Sequence, residues 1–288
     1  MRAVGENAAN LREVQRVGAG RVNGAYYNEI DPYAAQWLRN LIAAGLIAPG
    51  DVDERDIRLV RPADLHGYRQ CHFFAGIGVW SYALRLAGWA DERPVWTASV
   101  PCQPYSVASV AHGGAQGQGD DRDLWPCYFA LVRELAPSDL FGEQVASAIG
   151  WGWWDRAALD LESAGYAAAA VVLRADAYGA PHERQRLYWS ANAGGEGREG
   201  LEQHDGLSVC QEASLPERHN AFTGAWLALA GDTSGLRLDD GLTVSVGRSR
   251  IHGYGNAIVA PVAAEFIGAY MSINRYRHDV AKGGTNEK

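Results

Sequence analysis

Cys71-His72-Phe73-Phe74-Ala75-Gly76-Ile77-Gly78 is an apolar run that breaks into a glycine turn, and its continuation decides the fold. Val79 to Ala87 reads as a helix closed by Gly88, and Val95 to Val100 reads as a buried strand. Strand, glycine turn, helix and strand together form the repeating unit of a parallel sheet with helices on its faces.

The alternation extends in both directions. Upstream, Ala25-Tyr26-Tyr27 leads into Asn28-Glu29-Ile30-Asp31-Pro32, a short strand ending in acids. Tyr33 to Leu46 carries Trp37, Leu38, Leu41 and Ile42 at helical spacing, with Gly45 near its end. The segment 51–60 is mixed, with room for a strand. Downstream, Leu124 to Leu135 reads as a helix. Leu140 to Val145 and Ala168 to Leu173 read as strands around a Trp-rich helix, and Gln185 to Ala191 as a further strand. The fold class is therefore α/β with a mostly parallel sheet. Residues 192–250 break the pattern, being Gly-rich and weakly periodic. They read as a small inserted lobe in which Trp226, Leu227 and Leu229 seed a mini-core. Ile258 to Ile273 reads as a helix returning to the main domain. Four regions result: an N-terminal extension 1–24 with a short helical stretch around Leu11 to Val17, a main domain 25–191, the lobe 192–250, and a return segment 251–288.

Length and charge bound the function. A chain of 288 residues accommodates one main domain plus a modest lobe. With 47% hydrophobic and 21% charged residues, the balance is globular rather than disordered. A formal charge of −8 argues against non-specific coating of nucleic acid or membrane, while leaving room for a nucleic-acid enzyme with a locally positive cleft. All the cations except Lys282 and Lys288 are arginines. Arginine suits bidentate recognition of phosphates and base edges, although codon bias gives the same count and is the heavier explanation. Cys71, Cys102, Cys127 and Cys210 form no CxxC pair, which argues against a structural zinc site. No secretory signal or membrane-length apolar run is visible, so a reducing cytoplasm with free thiols is the expectation.

One thiol stands out. Cys102 follows a strand and is flanked by Pro101 and Pro104, which fix the backbone and present the side chain at a strand's carboxyl end. Ligands of open α/β sheets bind at that end. A buried small hydrophobe is the alternative, but Pro-Cys-Gln-Pro is a poor core segment.

Pro101-Cys102-Gln103-Pro104-Tyr105-Ser106 closely resembles the catalytic-loop motif of the DNA cytosine-5 methyltransferases. Further motifs resemble the same family across most of the chain. Phe73-Phe74-Ala75-Gly76-Ile77-Gly78 is similar to its S-adenosylmethionine loop. Phe141-Gly142-Glu143-Gln144-Val145 is similar to its Glu-Asn-Val motif, with Gln144 in place of Asn. Tyr178-Gly179-Ala180-Pro181-His182-Glu183-Arg184-Gln185-Arg186 is similar to the segment carrying two alternate arginines, and Gly255-Asn256-Ala257-Ile258 to the motif that closes the cofactor pocket. Val79 departs from the family's second glycine, which implies a less close approach of the loop to the cofactor.

The resemblance implies a Rossmann-like S-adenosylmethionine-dependent methyltransferase fold in which the lobe recognises the DNA target. It also implies roles. Cys102 adds to carbon 6 of cytosine and makes carbon 5 nucleophilic. Glu143 stabilises the adduct at N3, which requires a raised pKa, the alternative being a solvated acid after a strand. Arg186 holds the O2 edge and Arg184 helps order the site; a solvated edge strand is the alternative for that run. Phe73, Phe74, Ala75, Gly76, Ile77 and Gly78, with Pro101, Asn256 and Ile258, would bind the cofactor.

In the family the glycine motif comes first, and the acids that hold ribose and adenine follow. Here Glu29-Ile30 resembles the ribose motif and Asp56-Ile57 the adenine motif, and both precede Phe73, so the order reads as permuted. The sheet accepts this if the glycine-motif strand slots in beside the ribose strand and leads to the Cys102 strand. The competing reading is an N-terminal decoration, with the acids elsewhere. The implied partner is double-stranded DNA with its target base flipped out, bound by a monomer. The loop 106–121 would close over that base. Gln103, Ser106, Arg237, Arg248 and Arg250, with Arg198 and Arg218, are the candidate DNA contacts; for the arginines, plain surface positions are the alternative. Two other functions remain open: a pyrimidine transferase that adds a different group, and an inactive DNA-binding relative.

Overall fold

The computed structural model describes residues 24–101, 122–180, 184–193 and 257–283, with 274–283 described for backbone only. The expected helix at Leu11 to Val17, the loop 106–121, the lobe from 194 to 250, Gly255, and the candidate residues Cys102, Gln103, Ser106, Arg198, Arg218, Arg237, Arg248, Arg250 and Asn256 lie outside the described residues.

Seven strands form one sheet: β1 (Ala25–Asn28), β2 (Gly50–Asp53), β3 (Gln70–Phe73), β4 (Val95–Ala98), β5 (Asp139–Val145), β6 (Ala167–Arg174) and β7 (Gln185–Asn192). Their order across the sheet is β2-β1-β3-β4-β5-β7-β6. The ladders from β2 to β5 are parallel, whereas β7 runs antiparallel to both β5 and β6. The glycine-motif strand β3 thus sits between β1 and β4, the adjacency that the sequence required. The architecture is Rossmann-like.

Helices α1 (Pro32–Ala43), α2 (Val79–Leu86), α3 (Trp125–Leu135), α4 (Trp153–Ser163) and α5 (Ala260–Gly283) cover both faces. Alternation along each strand sorts the core. Tyr26, Cys71, Phe73, Trp96, Leu140, Leu187 and Trp189 pack with α3 and α4 on one face. On the other, Val95, Phe141 and Tyr188 pack with α2 and α5, and Ala25 and Tyr27 pack with α1. Gly142 has no side chain because Trp189, its partner in the β5–β7 ladder, fills the space; a Cβ there would lie 2.1 Å from the indole.

Several boundaries are corrected. The helix expected to reach Leu46 ends at Ala43, where Gly45 at φ +69° turns the chain and its N–H donates to Ile42 O. The mixed segment 51–60 resolves into β2 and a 3-10 turn, Ile57–Leu59, capped by Asp56. The strand expected through Val100 ends at Ala98. Gln185 to Ala191 is an interior strand rather than a solvated edge, and Glu143 is a buried residue within β5 rather than a solvated acid after it. No described helix is long and apolar enough to cross a membrane.

Candidate active site

A cavity of about 460 Å³ opens at the carboxyl ends of β1, β3, β4 and β5, where ligands of open α/β sheets bind. Its volume lies in the ordinary range for small-molecule sites, roughly 300–1,000 Å³. Two chemically distinct ends share it.

At one end, β1 delivers Glu29. Its Oε2 accepts from Gly76 N at 2.7 Å and its Oε1 from Asp31 N at 2.8 Å. The acid therefore fixes the glycine turn, and Ala75 N donating to Asn28 O at 3.0 Å ties the same turn to β1. Asp31 has a different task, accepting from Tyr33 N and Ala34 N as the N-cap of α1. Phe74, Ala75, Gly76 and Ile77 all line the cavity. Phe74 holds φ +52°, a left-handed conformation that costs a non-glycine residue on the order of 1–3 kcal/mol. Ile30, which is 61% exposed, and Ile57 add apolar wall near Asp56. Asp56 lines the cavity, but its carboxylate accepts from Arg58 N and pairs with Arg58 Nη1 at 2.8 Å, so it also serves the 3-10 turn.

Two residues expected at this end do not line the cavity. Phe73 is fully buried in β3 against Trp96 and Tyr128, because the pleat turns its ring to the α3 face. Gly78 caps α2 at φ +81°, where a Cβ would meet Leu38 Cδ2 at 2.9 Å. Val79, at the position of the family's second glycine, places its side chain on the cavity wall.

The residues at this end fit S-adenosylmethionine. A carboxylate at a strand's end offers acceptor sites for ribose hydroxyls, since each oxygen retains a lone pair beyond its present bond. The glycine turn leads into the N-terminus of α2, which favours a carboxylate such as that of the methionine moiety. Ile30, Ile57 and Tyr33 supply apolar surface for a flat ring.

At the other end, β5 and β7 bring Glu143, Arg184 and Arg186 together. Val145 is the direct ladder partner of Arg186, so Glu143 reaches that arginine diagonally. Arg186 Nε lies 2.7 Å from Glu143 Oε1, close but without the alignment of a good hydrogen bond. Burial pushes the Glu143 carboxyl above its ordinary range, against the opposing pull of Arg186 and Arg184. Gln144 Nε2 donates to Val100 O at 3.2 Å, and its Oε1 accepts from Val145 N at 2.9 Å. The longer amide thus reaches the segment that leads to Pro101, itself a cavity residue beside Val100 and Ser99. Ala257 and Ile258, which precede α5, complete the wall.

Residues 90–218 match the family model described as C-5 cytosine-specific DNA methylase. That segment, somewhat under half of the chain, is similar to the C-5 cytosine-specific DNA methylases. The matched segment contains the Pro101-Cys102 and Glu143 motifs and the two arginines; Glu29, Asp56 and the glycine turn lie outside it. Among curated proteins none matches the chain. Among solved structures, it is similar to a mutant of Spodoptera frugiperda DNMT2 at 14% identity and a TM-score of 0.39, over 58% of this chain and 41% of that one. The Entamoeba histolytica methyltransferase EhMeth matches at 12% identity and a TM-score of 0.49, over 84% and 88% of the two chains. The Dnmt2 methyltransferase of S. pombe matches at 11% identity and a TM-score of 0.46, over 86% and 98% of the two chains. The match thus spans less than half the length of the insect chain.

Sequence reasoning overlooked Trp80, Ser99, Val100 and Tyr33, which also line the cavity. Trp80 was detectable in principle, as a large side chain in the first turn after the glycine motif. Ser99 carried no signal beyond its nearness to Cys102.

Proposed function

We propose that the protein transfers the methyl group of S-adenosylmethionine to carbon 5 of a cytosine flipped out of double-stranded DNA, acting as a monomer through a covalent bond from Cys102 to carbon 6. One observation carries this reading: a single cavity holds Glu29 and the glycine turn at one end and a buried Glu143 with Arg184 and Arg186 at the other, with Pro101 on its wall. A donor at the first end and a base at the second would put the reacting atoms beside the residue that follows Pro101.

Each residue has a chemical task in this reading. S-adenosylmethionine supplies an electrophilic methyl group. Glu29 holds the ribose, and Asp56, Ile57 and Ile30 hold the adenine. Cys102 attacks carbon 6 as the thiolate and makes carbon 5 nucleophilic; the new bond from carbon 5 to the methyl carbon would form as the donor's sulfur–methyl bond breaks, its electron pair staying on sulfur in the departing S-adenosylhomocysteine. Glu143, with its pKa raised by burial, presents a proton to N3 as the ring gains charge. Arg186 holds the O2 edge while pairing with Glu143. Transfer of the carbon 5 proton to a water acting as base then restores the carbon 5–carbon 6 double bond, and the carbon 6–sulfur pair returns to Cys102, which leaves as the thiolate. The family order is permuted in this reading, since the ribose and adenine acids precede the glycine turn while β1 and β2 still lie beside β3. The lobe 192–250, with Arg237, Arg248 and Arg250, reads the DNA, aided by Gln103 and Ser106.

The deciding experiment incubates the protein with labelled S-adenosylmethionine and cytosine-containing duplex DNA, then digests the DNA to nucleosides. Label in 5-methylcytosine that disappears in Cys102→Ser is the expected result. Absence of label from every DNA, despite binding of the cofactor, overturns the reading. A trapped adduct with 5-fluorocytosine DNA reports separately on Cys102.

A further inference from the structure

The segment that follows β4 and leads to Cys102 is held from three sides by residues that have no part in the mechanism above. Ser99 N donates to Phe73 O at 3.3 Å, and Gln144 Nε2 donates to Val100 O at 3.2 Å. The third is Trp80, whose Nε1 donates to Ser99 Oγ at 3.0 Å. Trp80 is 3% exposed, and its ring lies between two others: Phe141 is stacked at 6.3 Å between centroids, and Tyr188 meets it edge-on at 6.2 Å. An indole gripped in this way has little freedom to follow a moving hydroxyl, so the bond fixes Ser99 to α2. Helix α2 begins directly after the glycine turn, and Trp80 and Ser99 both line the cavity.

The geometry points to Trp80 as a positioning residue: through Ser99, its indole N–H sets the Ser99-Val100-Pro101 segment against the glycine turn, and so fixes the nucleophile's strand relative to the methyl donor. This role rests on the proposed function. Trp80 touches no reacting atom in it; its effect passes through Ser99. A smaller ring or a missing hydroxyl breaks the same link from opposite ends.

The test compares Ser99→Ala, which leaves the core intact, with Trp80→Phe and the double variant. Loss of one hydrogen bond predicts a fall in kcat of roughly 3- to 10-fold for each single variant. The double variant should lose no more than the worse single, with KM for S-adenosylmethionine and for DNA within about two-fold of wild type. Hydrogen exchange at the Ser99 and Val100 amides should accelerate in both single variants, while exchange elsewhere in β4 and β5 stays slow. Wild-type kcat in Ser99→Ala, additive losses in the double variant, or a raised KM for S-adenosylmethionine overturns the positioning role. If the wild type transfers no methyl group, the proposed function falls and hydrogen exchange alone decides the link. Acceleration confined to Ser99 and Val100 then supports it, and uniform or absent acceleration overturns it.

Discussion

Arg186 Nε sits 2.7 Å from Glu143 Oε1, and Glu143 nevertheless has a raised carboxyl pKa. Burial outweighs the pull of Arg186 and Arg184 because the residue is only 7% exposed. A raised folded-state pKa means that the folded protein binds the proton more tightly than the unfolded chain. The resulting stability is fully present below the unfolded carboxyl range near pH 4.5 and is lost as pH rises through the folded value. Thermal melting of wild type and Glu143→Gln across pH 4–8 should therefore show the wild type losing ground to the variant as pH rises, then running parallel to it. A constant difference over the whole range would contradict the raised pKa. If Glu143 donates to N3 as proposed, methyl transfer by the wild type should decline over the same window, because that role needs the protonated acid.

The amide of Gln144 joins Val100 O to Val145 N inside the protein. Gln144→Leu keeps the volume and strands both backbone groups, which predicts a loss of about 1–3 kcal/mol in urea unfolding. Gln144→Asn retains the amide on a shorter arm, and should fall between wild type and Gln144→Leu in both stability and transfer rate. Equal stability in all three proteins would show that the amide contributes nothing.

His72 offers a pH effect of the opposite sign. It is buried, stacked on Tyr27, and bonded through Nδ1 to Thr97 Oγ1 at 2.8 Å. Burial pushes its pKa down to about 3 from 6.5. The unfolded chain then binds the proton more readily, so this stability is present above about pH 6.5 and drains away as pH falls towards about 3. His72→Phe should be less stable at neutral pH, because Thr97 and Gln70 lose a partner, yet its stability should fall less steeply between pH 6.5 and 4. Parallel curves would show that His72 does not titrate with folding.

Gly142 and Trp189 form a steric pair. A Cβ at Gly142 would lie 2.1 Å from the indole, so Gly142→Ala should cost at least about 1–3 kcal/mol through overpacking. Trp189 Nε1 is buried without a hydrogen-bond partner, so Trp189→Phe forfeits no hydrogen bond and opens space beside Gly142. The double variant should therefore melt above Gly142→Ala. A lower melting temperature in the double variant would place the clash elsewhere.

The glycine turn after Phe74 and the apolar runs of β3 and β5 were legible because buried strands and glycine turns are encoded locally. The direction of β7 was not, because an alternating strand reads the same either way along the sheet. Read alone, the run around Arg184 and Arg186 also suited a solvated edge strand, an alternative removed only by the strand order, which places β7 between β5 and β6. Glu29 was legible as a strand-ending acid, yet its bond to Gly76 spans 47 residues and leaves no local trace. Phe73 was misassigned to the pocket because a motif does not say which of two neighbouring phenylalanines the pleat turns inward.

The reversed direction of β7 has a consequence for how the charge pair is encoded. From β1, β3 and β4 the cavity receives residues at or beyond the strand's end, where a loop can absorb an insertion, and from β5 the last three residues of the strand. From β7 it receives the strand's beginning, locked in a ladder on both flanks. A slip of one residue in that ladder would swing Arg186 to the opposite face of the sheet and leave Glu143 without its cation. The spacing of acid and guanidinium is thus ruled by hydrogen-bond register, a quantity that changes only in whole residues, which makes it an all-or-none property of the sheet.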